Sequence, residues 1–279
     1  PPDLSRITEV NKRHFRLLLP NGRFFKVKDV IRTPVDLQRW LIRLSPLDVY
    51  YSTSTYLNPT LVSPRPRTAS EYWGPGNIVL GNDVAFDMDR QPLSILNLER
   101  ARKDAVRLLD LMLEKQYSPK YAAFSGSKGF HLVFSDRDTG LEEDHRSREK
   151  EIIVRRKALV EELTQKGIRI DTSVTVDTRR IIRLPGTLNS KTGYCCQILT
   201  LEQLRAPVAE WLDALERIEG HRTIPRFGWK PLSGHKPAIR APHPDGEGNV
   251  GYTTYITSSV LGTKGRHAVL MTLPKGTLE

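Results

Sequence analysis

Two aspartates separated by one residue, Asp87 and Asp89, are the first side chains whose spacing suits a chemical task. Residues alternate in character along Val84 to Met88, as in a β-strand, so both carboxylates leave one face with their side-chain origins about 6 to 7 Å apart. Such a pair can hold two Mg²⁺ or Mn²⁺ ions, which activate a hydroxyl and neutralise the charge of a nucleoside triphosphate. Asp-x-Asp pairs are also common in solvated turns, so the pair alone does not identify a site.

A second candidate site is the turn Ser-Gly-Ser-Lys-Gly-Phe-His at residues 125–131, between two apparent strands. Backbone N–H groups in glycine-containing turns form anion-binding nests, and glycine lets the chain approach a phosphate closely. Lys128 would add a point charge and His131 a directional donor. A hairpin turn with a surface lysine and a half-buried histidine explains the same residues, and the spacing does not decide between the two.

A third group of charged residues lies between Ile168 and Gly193. Asp171 could complete a three-carboxylate metal cradle with the first pair. Arg180 and Arg183, followed by Lys191, could hold phosphates of a triphosphate or of a template. A charged strand and loop with internal ion pairs is the alternative interpretation.

Taken in this order, the three groups resemble the catalytic motifs of the archaeo-eukaryotic primases, especially the small catalytic subunit. The resemblance spans Asp48 to Gly193 and includes the upstream segment Asp-Val-Tyr-Tyr-Ser that begins at Asp48. The occurrence of all three groups in one chain, in this order, is more specific for the family than any single motif. The resemblance implies a template-directed nucleotidyltransferase, a DNA primase or primase-polymerase, that joins NTPs or dNTPs on single-stranded DNA by two-metal chemistry.

Site roles follow from the same resemblance. Asp87, Asp89 and Asp171 would be the catalytic residues and the ligands of two Mg²⁺ or Mn²⁺ ions. The nucleotide-binding residues would be Ser125, Lys128, His131, Arg180, Arg183 and Asn189, of which Asn189 stands where some relatives have histidine. Asp177 would then be an ion-paired neighbour of the site.

The family usually carries a zinc-binding insertion near the active site, and this chain departs from that pattern. Its only cysteines are the adjacent Cys195 and Cys196, which cannot form a four-ligand zinc site. We therefore predict a compact, zinc-free variant. Whether it starts primers unaided, needs a partner such as a large primase subunit, a helicase or a ligase, or extends primers in end-joining or gap-filling repair stays open.

The elements around these motifs predict a mixed α/β (α+β) fold. Thr33-Pro34 begins a helix, and apolar spacing predicts further helices over residues 96–115, 146–166 and 201–218. Strands are predicted at residues 78–80, 84–88, 121–124, 130–135, 168–171, 181–184 and 194–199. The family implies an RRM-like sheet carrying the acids, an N-terminal α/β portion, and a single cleft between them.

Two regions are predicted. Residues 1–223 would form the catalytic core. Residues 224–279 would form a Pro- and Gly-rich loop followed by a β-hairpin packed on the same domain.

The chain of 279 residues carries a net charge of +11, which favours a polyanionic partner, with nucleic acid preferred over a membrane. Arg65, Arg67, Tyr72 and Trp73 could grip a single strand, although packing and solvated surface explain them equally simply. A basic nucleic-acid-binding subunit without catalysis, or a metal-dependent nuclease, are the rival functions. With no run of 18 apolar residues, we expect a cytoplasmic, nucleoid-associated protein.

Overall fold

Helices and strands alternate along the computed structural model, which describes residues 2–63, 77–136, 145–215, 253–256 and 268–271. The helices are α1 (Pro34–Leu44), α2 (Ile95–Glu114), α3 (His145–Gln165), α4 (Thr172–Val176), α5 (Leu201–Arg205) and α6 (Val208–Trp211), with short 3-10 turns at Val10–Lys12, Pro59–Leu61 and Leu212–Ala214. The strands are β1 (Phe15–Leu18), β2 (Phe24–Lys26), β3 (Asp48–Ser52), β4 (Ser54–Tyr56), β5 (Val79–Asn82), β6 (Val84–Asp89), β7 (Pro119–Phe124), β8 (Gly129–Phe134), β9 (Ile181–Arg183), β10 (Gln197–Leu199), β11 (Thr253–Ile256) and β12 (Ala268–Met271). The mixed α/β class is confirmed. Arg65, Arg67, Tyr72 and Trp73 lie outside the described residues.

The N-terminal portion is built on an antiparallel sheet in the order β2-β1-β3-β9. Helix α1 follows β2 and begins at Thr33, whose side chain and that of Asp36 form a capping box, with Pro34 in the first turn. Leu37 and Leu41 on this helix are buried. The predicted helix start and its apolar face are therefore confirmed.

The second sheet is also antiparallel, in the order β10-β7-β8-β6. Strand β6, helix α2, strands β7 and β8 and helix α3 follow each other as β-α-β-β-α, in keeping with the RRM-like sheet that the family resemblance implies. Its apolar face packs against α2, α3, α5 and α6 in one core that contains Phe86, Phe130 and Leu132. Alternation along β6 and β8 thus sends every second side chain into this core.

The opposite face of the second sheet packs against the first sheet. Ala85 and Val133 share a core there with Leu17 and Val49 of the first sheet. The hydroxyls of Tyr51 and Tyr121 bridge the two sheets at 2.7 Å. Because Asp87 lies on the same face of β6 as Ala85, the acidic pair opens towards the space between the sheets.

Strand β6 forms one edge of its sheet, and helix α4 covers that edge. The Asp171 N–H donates to the carbonyl of Asp87 at 2.8 Å, and Thr175 Oγ1 donates to the carbonyl of Ala85 at 2.9 Å. These bonds satisfy carbonyl groups that an edge strand would otherwise expose. They also bring the third aspartate beside the first.

Two predicted elements differ from the structure. Residues 168–171 are not a strand; they lead into α4, whose β-branched residues adopt a helix because Asp171 caps it and Thr175 bonds to β6. The predicted helix over residues 201–218 divides into α5 and α6, since Pro207 cannot continue the first. Leu204, Trp211 and Leu215 in this region are buried.

Near the C-terminus, strands β11 and β12 pair antiparallel, which agrees with the predicted hairpin.

In the described ranges, no helix combines the length and apolar character that crossing a bilayer requires.

Candidate active site

The acidic pair lies at the end of the edge strand β6. Asp87 pairs across the sheet with His131, and Asp89 with Gly129. Asp87 is half-buried and Asp89 is exposed, while Met88 between them points into the core. Both carboxylates therefore project from one face, as the sequence predicted.

Asp171 approaches from the start of α4. Its Oδ1 accepts hydrogen bonds from the Ser173 N–H at 2.9 Å and the Ser173 hydroxyl at 2.7 Å, which is a helix N-cap. The backbone bond to Asp87 fixes the position of this residue against β6. The structure thus brings the residue Asp171 beside the strand that carries Asp87 and Asp89, from a distant segment of the chain.

The negative charges act on one another. Burial, followed by the charges of Asp89 and Asp171, raises the pKa of Asp87 to about 7, while Lys128 and Arg183 oppose the rise. The Oδ1 atom of Asp87 is buried and accepts no hydrogen bond within the described part of the chain. A crowded carboxylate with an unsatisfied oxygen favours a bound cation, and oxygen ligands suit Mg²⁺ or Mn²⁺.

Lys128 is the nearest cation to the exposed carboxylate. Its Nζ lies 3.2 Å from Asp89 Oδ2. In this arrangement, no cluster of three or more Asp, Glu, His or Cys side chains already forms a metal-binding group among the residues that the structure describes. Lys128 therefore lies beside the acidic residues, in space that a bound metal ion or phosphate would also occupy.

Two glycines give the 125–131 turn its shape. Gly126 has a φ of +78°, and a Cβ there would lie 2.9 Å from both Asn189 Cβ and the carbonyl of Tyr194. A Cβ on Gly129 would lie 1.9 Å from the carbonyl of Met88. The glycines thus let the turn adopt its conformation and let β8 lie directly against the acidic strand.

His131 and Ser125 line the space next to Asp87. His131 Nε2 is 3.8 Å from Asp87 Oδ1, and burial, with a contribution from Arg183, lowers the histidine pKa to about 3, so the ring is neutral. His131 Nδ1 and the Ser125 hydroxyl are buried without hydrogen-bond partners in the described ranges. Together with Asp87 Oδ1, these are three buried polar atoms without hydrogen-bond partners in the described ranges. Such a group favours binding of a polar ligand.

Arg183 enters the site from the first sheet. Its Nη1 donates to Asp48 Oδ1 at 2.6 Å and to the Leu188 carbonyl at 2.9 Å, and its Nη2 donates to the Tyr50 hydroxyl at 3.1 Å. The guanidinium lies 5.0 Å from the centre of the Tyr50 ring. Sequence reasoning proposed Arg183 but gave no role to Asp48, although a carboxylate that starts a strand of buried residues was a usable signal.

Asn189 belongs to a turn that contacts the 125–128 segment. Its Nδ2 donates to the Ser125 carbonyl at 3.4 Å, and the Thr192 hydroxyl donates to the carbonyl of Gly126. The Asn189 carbonyl accepts from the Gly193 N–H at 2.8 Å, which closes the turn. Asn189 thus contacts the backbone of the 125–131 turn, and its role as a nucleotide-binding residue stays a prediction.

Arg180 forms an ion pair with Asp177. Its exposed side chain places Nε 3.5 Å from Asp177 Oδ2, and Asp177 also accepts from Arg179 Nε at 2.9 Å. The expectation that Asp177 is an ion-paired neighbour is therefore confirmed. Within the described ranges, Asp177 is the only carboxylate that Arg180 contacts.

Comparison with known proteins gives several relatives of similar length. The chain is 27% identical to the DNA primase small subunit of Pyrobaculum calidifontis over 250 residues, covering 74% of this chain and 77% of that protein. It is 26% identical to the corresponding protein of Pyrobaculum aerophilum, covering 77% and 80%. A DNA primase small subunit-like protein of Archaeoglobus fulgidus is 28% identical, covering 70% and 73%.

Among solved structures, the polymerase domain of Mycobacterium tuberculosis Ligase D in complex with DNA matches with a TM-score of 0.47 and 17% identity, covering 71% of this chain and 77% of that one. No family model matches the chain.

Proposed function

Because the chain is a homologue of archaeal DNA primase small subunits, we propose that it is a metal-dependent nucleotidyltransferase that joins nucleotides on a single-stranded DNA template. One observation carries the proposal: a backbone hydrogen bond holds Asp171 beside the strand of Asp87 and Asp89, and the adjoining turn has buried, unsatisfied polar atoms on Ser125 and His131. The carboxylates can coordinate divalent metal ions, and the polar groups of the turn can donate hydrogen bonds to phosphate oxygens. A DNA-binding subunit without catalysis has no need for either.

Asp87, Asp89 and Asp171 are the proposed ligands of two divalent cations, Mg²⁺ or Mn²⁺. When bound, such ions activate an attacking 3′-hydroxyl and neutralise the charge on the α-phosphate and the leaving pyrophosphate. The raised pKa of Asp87 means that a cation also favours the ionised form of this carboxylate. Zinc has no proposed role.

The 125–131 turn is the proposed cradle for the triphosphate. Its backbone N–H groups and the Ser125 hydroxyl can donate to phosphate oxygens, and neutral His131 can donate from one ring nitrogen. Lys128 can exchange its contact with Asp89 for a phosphate contact, since its side chain is half-buried and reaches the same space. These groups orient the nucleotide rather than react with it.

Arg183 supplies a fixed positive charge behind the turn, and Asn189 supports the turn from its back. Arg180, which is exposed and close to Asp177, is a candidate contact for a template or primer phosphate. The net charge of +11 supports binding to the DNA strand itself. We further propose that the protein acts on DNA in the cytoplasm, with a large primase subunit, a helicase or a ligase as candidate partner.

Synthesis on single-stranded DNA with labelled nucleotides, with and without a primer, tests the proposal. Products without a primer would identify a primase that starts chains unaided. Extension of a supplied primer alone would identify a gap-filling or end-joining polymerase, or a primase that needs its partner subunit. Absence of product with Mg²⁺ and Mn²⁺ in both assays would contradict the proposal and favour the DNA-binding subunit.

A further inference from the structure

Asp48, at the first position of β3, is a buried carboxylate with an unusually complete set of partners. Its Oδ1 accepts from Arg183 Nη1 at 2.6 Å and from the Ser190 N–H at 2.9 Å. Its Oδ2 accepts from the Ser190 hydroxyl at 3.1 Å and from the Tyr50 hydroxyl at 3.5 Å. Burying a carboxylate is costly unless such partners compensate, so this site is built around the charge of Asp48.

The partners of Asp48 belong to two separate parts of the proposed triphosphate site. Arg183 ends β9, whereas Ser190 lies in the turn that starts at Asn189. That turn in turn holds the 125–131 segment through the bond from Asn189 Nδ2 to the Ser125 carbonyl. One carboxylate therefore links the fixed cation to the glycine turn.

The bonds of Arg183 leave one edge of its guanidinium for a ligand. Both hydrogens of Nη1 are used by Asp48 and the Leu188 carbonyl, and one hydrogen of Nη2 by Tyr50. Within the part of the chain that the structure describes, Nε and the second hydrogen of Nη2 have no acceptor. Asp48 thus holds the guanidinium in one orientation while two donors stay available.

We infer that Asp48 is a positioning residue for the triphosphate of the incoming nucleotide, acting through Arg183 and the turn at Ser190. This inference rests on the proposed nucleotidyltransferase function. Asp48 itself does not touch the nucleotide: its carboxylate is saturated by protein donors and is almost fully buried. Its contribution is to the strength of triphosphate binding and not to the chemical step.

The first test compares wild type with Asp48→Asn, which keeps the size of the side chain and removes its charge. We expect KM for the nucleotide, and Kd for a labelled nucleoside triphosphate, to rise about tenfold, with kcat changed by less than about threefold. The matched control is Asp83→Asn, because Asp83 forms an equally buried pair with Arg13 at 2.8 Å away from the acidic cluster. This control should lose stability but keep the wild-type KM.

A double variant separates positioning from general destabilisation. If Asp48 acts through Arg183, adding Asp48→Asn to Arg183→Gln should raise KM by less than about twofold beyond the single Arg183→Gln variant. Independent, multiplying effects of the two substitutions would overturn the inference. Should Asp48→Asn fail to fold, Ser190→Ala removes only a hydroxyl donor to Asp48, and we expect it to raise KM by about two- to fivefold.

Different results would overturn the nucleotidyltransferase function and the role of Asp48. An inactive wild-type protein with every metal and template would overturn the nucleotidyltransferase function. An active wild type whose KM and Kd are unchanged in Asp48→Asn, or in Ser190→Ala where the first variant does not fold, would overturn the role of Asp48 alone.

Discussion

The backbone N–H of Asp171 donates a 2.8 Å hydrogen bond to the carbonyl oxygen of Asp87. This bond joins the third carboxylate to the first across 84 residues of sequence and protects the edge of β6 at the same time. A main-chain bond therefore helps to set the spacing of the acids. Side-chain substitutions can change the charge of the site without moving its frame.

The first prediction concerns Asp171. Asparagine is as good a helix N-cap as aspartate, so Asp171→Asn should keep α4 in place and melt within about 2 °C of wild type. Synthesis should fall at least about a hundredfold, because a proposed metal ligand loses its charge. Asp177→Asn is the control: among the described residues, Asp177 forms ion pairs with Arg179 and Arg180 alone, and the variant should retain most activity. Equal losses in both variants would argue against a special role for Asp171.

The second prediction concerns the glycine turn. Gly126 and Gly167 have nearly the same positive φ, +78° and +76°, but a Cβ on Gly167 would meet nothing within 4 Å. Gly167→Ala should therefore cost only the backbone strain, about 1 kcal/mol of unfolding free energy. Gly126→Ala should cost more, because its Cβ meets backbone and Asn189, and it should weaken nucleotide binding as well. Denaturant unfolding and nucleotide titration measure both; similar effects of the two substitutions would contradict the tight packing of the turn.

The third prediction concerns pH. The pKa of Asp87 is raised to about 7 in the folded protein, above its ordinary value, so the ionised form destabilises the fold. That penalty is absent below about pH 4, grows between pH 4 and 7, and is complete above pH 7. Without metal, Asp87→Asn should therefore melt a few degrees higher than wild type at pH 8, and the gain should shrink as the pH falls towards 4.

Divalent metal provides the internal control for that measurement. Adding Mg²⁺ or Mn²⁺ at pH 8 should raise the melting temperature of wild type and leave that of Asp87→Asn nearly unchanged. Wild type should then melt at the higher temperature of the two. A lower melting temperature of Asp87→Asn at pH 8 without metal would show that the carboxylate is not under electrostatic strain.

The fourth prediction concerns Lys128, which lies 3.2 Å from Asp89. Lys128→Gln removes the cation that competes for Asp89, so Mn²⁺ alone should bind a few-fold more tightly, while nucleoside triphosphate should bind about tenfold more weakly. Calorimetric titration of each ligand gives both constants. Lys115→Gln, which breaks an ion pair with Glu162 instead, should change neither. Weaker binding of both ligands to Lys128→Gln would exclude competition between the lysine and the metal.

The sequence predicts the acidic strand well because alternation within one strand depends on local neighbours alone. Val84, Phe86 and Met88 are buried in the predicted way, and Asp87 lies on the opposite face. Helix α4 was missed because its residues Thr-Ser-Val-Thr-Val favour a strand locally, and only contacts with β6 stabilise the helix. Tertiary contacts with β6 therefore outweigh the local preference of these residues for a strand.

Two of the partners of Asp48, Arg183 and Ser190, are 135 and 142 residues away in the sequence. No local pattern encodes such a pairing, which depends on β9 lying next to β3 and on the following turn folding back. For the same reason, the sequence proposed Arg183 as a phosphate-binding residue without showing that part of its guanidinium is already bound to protein.

The most direct measurement is incorporation of a labelled nucleotide into a primed single-stranded template, with Mn²⁺, by wild type, Asp87→Ala, Asp89→Ala and Asp177→Ala. The proposed two-metal site predicts that wild type and Asp177→Ala incorporate nucleotide, while each of the other two variants folds normally and loses at least about a hundredfold in rate. Undiminished incorporation by folded Asp87→Ala and Asp89→Ala would contradict the assignment of the active site to this acidic strand.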